Sequence, residues 1–235
     1  MYLTQSHQGK GLTKGAYEAL REMCRYAKNL YNVGLYSIRQ YFFAQGRFLR
    51  YESNYQAVKD NEHYALLQAG VSQQILKVVD RSFRSFFNLL KKAKHGEYRF
   101  HDVRIPHYLD KNDYFPLILS TNAIVIKNGY LQVPMSREFQ RLHPDLERIK
   151  IPFPSRLAGK TVKEVRILPM EKARFFTVQF VYEAEKKHRS RYPIDTPHGS
   201  SRGILARNSD ELYSQGVCQK PPSHSLKVES VVTFA

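Results

Sequence analysis

The chain has no tryptophan and only two cysteines, Cys24 and Cys218. They stand far apart and neither belongs to a Cys-x-x-Cys pair, so no disulfide framework or cysteine zinc site is expected and a reducing compartment fits. No run of 18 apolar residues occurs, so no membrane-spanning helix and no membrane partner are expected. The first residues, Met1-Tyr-Leu-Thr-Gln-Ser-His7, lack the apolar core of a secretory signal, which makes the cytoplasm the expected location. Glycine-rich phosphate loops and the G-x-S-x-G elbow are missing. The nine histidines are scattered without metal-ligand spacing, so no metal site is expected. Acidic residues are scarce: 21 Asp and Glu face 37 Lys and Arg, a formal charge of +16. Such a surplus favours polyanionic partners, nucleic acid first among them.

What is present falls into three blocks. Residues 13–95 read as helical. Thr13 is a candidate N-cap, and Ala16, Leu20, Met23, Ala27, Leu30, Gly34, Ile38 and Tyr41 follow at steps of three and four, one face of a long helix that Gly46 stops. Short helices are expected around residues 54–59 and 62–68. A second long helix opens at Gly70, with Ser72 as its expected N-cap. Ile75, Val79, Phe83, Phe86 and Leu90 line one side of it. Lys77, Arg81, Arg84 and Lys91 line the other, interrupted only by Asp80. Solvated faces usually mix acids with bases at i,i+4. With these bases taken as lacking such partners, the stripe is read as phosphate-contacting. Tyrosines and phenylalanines crowd the first helix and suit either core packing or base stacking.

Residues 97–188 read as antiparallel strands. Asn128-Gly129 between residues 124–127 and 130–133 is a two-residue hairpin signal. A strand is expected at residues 115–120, and a second hairpin at residues 162–169 and 175–183. Scattered prolines suggest a small barrel with interrupted edges. A helical block followed by a strand block makes the fold class α+β. Residues 189–235 hold eight serines, four prolines and three aromatics without periodicity, and are expected to form an irregular, disordered tail. Residues 1–188 carry 31 Lys and Arg against 17 Asp and Glu; the tail carries 6 against 4, so the basic character lies in the first two blocks.

In order along the chain, several segments resemble the TnpB (OrfB) family of transposon-encoded, RNA-guided nucleases. They are Lys28-Asn-Leu-Tyr-Asn32, residues 73–87, Ile105-Pro-His-Tyr-Leu109, residues 119–124, residues 129–134, Val165-Arg-Ile-Leu-Pro169 and residues 178–183. The resemblance implies a wedge domain built on a small OB-like β-barrel (residues 1–12 and 96–188) with a helical recognition domain inserted at residues 13–95. It implies as partners a guide RNA from the transposon end and double-stranded target DNA, sequence being read by base pairing and the protein reading backbone and a short DNA motif. Gln73 falls where the family places a motif-reading glutamine, and Ser120, Thr121 and Asn122 where further motif contacts arise. Lys77, Arg81, Arg84 and Lys91 fall where the nucleic-acid backbone would lie. The family's RuvC-like nuclease core, with its carboxylates and magnesium, would begin after residue 183. Only Asp195, in Ile194-Asp195, stands where a first acid is expected, and the residues after it depart from the family. The expectation is therefore binding without cleavage, no catalytic residue and no cofactor for this chain, with magnesium required only by an intact nuclease domain. Two rivals stand beside it: a nuclease accessory whose site another chain completes, and a generic basic RNA-binding protein.

Overall fold

The computed structural model describes residues 1–184. The tail expected over residues 189–235, with Asp195 and Cys218 in it, lies outside the described residues.

Strand β1 (Tyr2–Gln8) leads into α1 (Lys14–Gln45). The Thr13 hydroxyl accepts from the Ala16 amide at 3.2 Å, and Gly46 closes the helix at φ 63° while its N–H returns to the Phe42 carbonyl. Both caps stand where the sequence puts them. The face from Ala16 to Ile38 is buried, whereas Tyr41, expected on it, is exposed. Cys24 is a free thiol in the core, and burial pushes it far above its ordinary pKa. Two short helices follow, α2 (Tyr51–Val58) and α3 (Glu62–Ala65), then α4 (Ala69–Lys94).

The α4 N-cap differs from the expectation. Gln68 caps the helix, its side-chain oxygen accepting from the Val71 amide. Ser72 lies inside the first turn, buried, and its hydroxyl donates to the Tyr64 carbonyl at 3.0 Å, fastening α4 to α3. Gly34 of α1 lies against Leu76 and Val79 of α4, and Phe42 against Phe87, so the two long helices run in the same direction. A Cβ at Gly34 would sit 2.6 Å from Leu76 Cδ2, closer than carbon atoms pack.

Residues 103–116 form no ladder. They lie along α1 as a strap: Phe115 N–H donates to the Cys24 carbonyl, Lys28 Nζ to Lys111 O, and Arg39 to Pro106 O. The Asn32 amide both donates to Leu109 O and accepts from Leu109 N, each at 2.9 Å. Tyr31 stacks on Phe115 with ring centres 4.9 Å apart.

The strands are β2 (Leu117–Ser120), β3 (Val125–Lys127), β4 (Tyr130–Gln132), β5 (Lys150–Pro152), β6 (Val162–Met170) and β7 (Phe175–Glu183), with α5 (Arg137–Leu142) between β4 and β5. One antiparallel sheet has the order β1-β7-β6-β2 and the other β3-β4-β5. The fold is α+β as expected, but the barrel is corrected: among the described residues the strands form two open sheets. Closure needs every strand bonded on both sides at a consistent tilt. Here β1 and β2 are edges, and the second sheet has strands of three residues that end near Pro134 and Pro152. Pro116, with no N–H to give, also holds β2 to a start at Leu117, two residues later than the pattern suggests. Both expected hairpins form. Asn128 and Gly129 take φ 51° and 74°, the paired left-handed geometry of a type I′ turn. In β7, Phe176, Val178, Phe180 and Tyr182 face the core and alternate with half-buried residues. Because β1 pairs with β7 and β2 with β6, the chain before the helical block and the chain after it belong to one sheet, with β1 and β2 at its two edges. Strand β2 packs on α4, which joins sheet and helices.

Replacing Asn32 with alanine would leave both Leu109 backbone groups without their partner. We expect a loss of about 2 kcal/mol in urea-induced unfolding and faster proteolysis within the strap. Gln40→Ala on the exposed side of α1 should stay within about 0.5 kcal/mol.

Candidate nucleic-acid interface

The exposed side of α4 carries Lys77, Arg81, Arg84 and Lys91, as the helical period requires. Their surroundings differ from one another. Lys77 Nζ lies over the Tyr51 ring, 5.6 Å from its centre, a cation–π contact that fixes the ammonium beside α2. Arg84 is not the unpaired base expected: its Nε donates to Asp80 Oδ2 at 2.6 Å. Asp80 is a buried acid whose other oxygen accepts from the Tyr51 amide at 3.0 Å. That amide opens α2, whose N-cap residue Arg50 offers no side-chain bond. Asp80 thus satisfies an orphan N–H of α2 while Arg84 balances its charge. Arg84 is therefore a structural partner first. Arg81 and Lys91 are exposed, Lys91 in the last turn with Lys92 and Lys94, where cations also suit the helix dipole.

Gln73 stands one turn before Lys77, half-buried, with its amide beside the Tyr64 hydroxyl. Tyr64 belongs to a cluster that the sequence did not reveal: Tyr51, Tyr55 and Tyr64 lie edge to face or tilted at 6.3 and 5.9 Å. Burial, then the neighbouring Tyr55, push Tyr64 up to about 12. Burial, Tyr55 and Glu52 likewise raise Tyr51. Both remain neutral phenols at any working pH, and so present hydroxyl donors and apolar ring faces to a ligand. Their i,i+4 spacing in α2 was the only signal available, and Tyr64 comes from a different helix.

Ser120 ends β2, and residues 121–123 form a 3-10 turn. This turn and β2 pack against α4. The Thr121 hydroxyl donates to the Lys163 carbonyl at 2.9 Å, so it anchors the turn to β6, whereas Asn122 is exposed. The fold thus sets the Ser120–Asn122 corner and Gln73 on elements that touch, with Thr121 used internally.

His63 of α3 packs over Tyr26 of α1 at 6.1 Å. Burial, set against Glu62 and assisted by the charge of Lys28, holds its pKa below 6.5. Among the described residues no group of three or more His, Cys, Asp or Glu gathers to hold a metal, and no helix is long and apolar enough to cross a membrane. Asp195, the one residue that the resemblance gives to magnesium, lies outside the described residues, so no chemical step is assigned through a metal. Neither the models of known protein families nor the curated protein sequences give a match to this chain.

Because the folded state binds the His63 proton less readily than the unfolded chain, stability contributed by neutral His63 is present above pH 6.5 and is lost as pH falls through the depressed folded value. The melting temperature should therefore drop on acidification below pH 6.5, and His63→Phe should flatten that drop. An equal acid slope in the variant would assign it to other groups.

Proposed function

We propose that residues 1–184 are the nucleic-acid-binding portion of a TnpB-like RNA-guided DNA endonuclease, holding a guide RNA and double-stranded target DNA. The observation that carries the reading is the two-sidedness of α4: one side is sunk in the core from Val71 to Phe83, and the other turns Lys77, Arg81 and Lys91 outward beside Gln73 and the three phenols. Cations spaced along a rigid helix match phosphate positioning, while an amide among aromatic hydroxyls matches base-edge contact.

The topology supports the same reading. The helical block lies along the chain between β1 and β2, the two edge strands of one sheet, as the insertion of a recognition domain into a wedge domain requires. In this reading the two open sheets are the wedge. Gln73 and Asn122 are the foremost DNA-motif contacts. Ser120 and Thr121 shape that corner, and Arg84 acts mainly by holding Asp80. Binding is the role assigned to these residues; cleavage is not assigned to them.

The test is to coexpress the full chain with RNA from the flanking mobile-element end, sequence the copurified RNA, and titrate salt against the affinity. Changing Lys77, Arg81 and Lys91 together to Glu should abolish enrichment of one structured RNA. It should also lower the salt slope by about three, roughly one for each phosphate contact. Equal recovery of unrelated RNAs by the wild-type chain would favour a generic basic RNA binder, and an unchanged slope would remove the α4 stripe from the interface.

A further inference from the structure

Beyond α4, the far half of α1 carries rings that the core does not use. Phe43 is 62% exposed and Tyr36 56%, while Tyr108 of the strap is 39% exposed. Tyr36, Arg39 and Phe43 share one helix face, since seven residues return almost to the starting direction. The Arg39 guanidinium lies 5.6 Å from the Phe43 ring centre and 4.9 Å from that of Tyr108. Its Nη1 also donates to the Pro106 carbonyl at 3.0 Å. The cation is thus fixed between two rings that remain open to solvent.

Exposed aromatic area of this size costs free energy in water. Core packing does not account for it: the adjoining Phe42 supplies that contact, against Phe87. The surrounding charge identifies the occupant. Between Glu22 and Glu52 there is no acidic residue, yet there are five bases, Arg25, Lys28, Arg39, Arg47 and Arg50. One turn beyond Phe87, Lys91 begins the basic end of α4. Flat rings, a guanidinium held over them and a stretch of helix with bases but no acids fit a polyanion whose π faces are open, which is single-stranded nucleic acid. A duplex buries those faces by stacking, and an acidic protein segment would leave the rings without matching surfaces. A neutral apolar partner would leave the net positive charge of this stretch without a counterpart.

Building on the nucleic-acid reading above, we infer that Tyr36, Phe43 and Tyr108, around the pinned Arg39, form a stacking platform for unpaired nucleobases of a bound RNA. The platform is separate from the Gln73–Tyr64 cluster and needs only base faces, so it is indifferent to sequence. Tyr36 and Phe43 stand about 10 Å apart along the helix, seven residues at about 1.5 Å each. That spacing admits a strand with bases splayed apart more readily than a continuous stack.

The experiment measures affinity of the full chain for a short mixed-sequence single-stranded RNA and for the same strand annealed into a duplex. It compares wild type with Tyr36→Ala/Phe43→Ala and with Phe43→Trp. The double variant should lose about a hundredfold in single-strand affinity, tenfold per ring, with duplex affinity unchanged, and the tryptophan variant should bind as well as wild type. Crosslinking of 4-thiouridine RNA to the unaltered protein reads the same contact without any variant, and should map to peptides holding residues 36–43 or 108. Single-strand affinity unchanged in the double variant, or crosslinks confined elsewhere, would overturn the platform and leave nucleic-acid binding by α4 standing. A wild-type chain that binds neither RNA would overturn both readings. Concentration-dependent self-association abolished by the double variant, with no RNA binding, would assign the rings to a second copy of the chain.

Discussion

A stretch of backbone with no ladder of its own sets the terms for this fold. The strap over residues 103–116 must satisfy its amides and carbonyls without strand neighbours, and it does so on α1. Cys24, Lys28, Asn32 and Arg39 supply a carbonyl, an ammonium, an amide and a guanidinium in register with Phe115, Lys111, Leu109 and Pro106. Helix residues 24–39 rise about 22 Å, and nine residues of extended chain reach about 30 Å, so the strap spans the distance with slack for its turn at Lys111. An unsatisfied buried backbone group costs about 1–3 kcal/mol, so few other side chains would serve at Lys28, Asn32 and Arg39, whereas the Cys24 contact uses the main chain. Because the strap delivers β2 onto α4, the orientation of helices and sheet depends on this contact.

The same accounting changes how the positive charge is read. Lys28 is only 6% exposed and ends on a carbonyl; Arg39 is held by Pro106 and two rings; Arg84 neutralises Asp80. Net charge alone counts these like any surface lysine. In the folded chain they also fasten segments together: only Arg84 has its charge balanced by an acid, while Lys28 and Arg39 end on neutral carbonyls and keep their charge in the long-range field.

Much of the fold was legible. The caps of α1 at Thr13 and Gly46, the Asn128-Gly129 turn and the inward alternation of β7 follow from local rules, because each depends on residues within a few positions of one another. The misreadings share a cause as well. Gln68 rather than Ser72 caps α4 because α3 approaches closely enough to take the Ser72 hydroxyl, a contact across a loop. Asp80 looked like a flaw in a basic stripe, but it is the cap of another helix, 29 residues away. The helix α5, with Phe139 wholly buried against Tyr26, is too short for a periodic pattern to emerge. The candidate site was half legible for the same reason: Gln73 and the stripe lie on one helix, while Tyr51, Tyr55 and Tyr64 are assembled from two others.

That division also explains why one face of α4 can serve structure and ligand together. Asp80 draws Arg84 down and α2 in, and so brings Tyr51 under Lys77 and Tyr55 toward Tyr64 and Gln73. A buried acid among bases ordinarily weakens a phosphate-binding surface by cancelling charge. Here one cancelled charge places a cation, an amide and three phenol rings at fixed separations. A bound nucleic acid would then meet groups already in position, and less of the binding energy would go to ordering side chains.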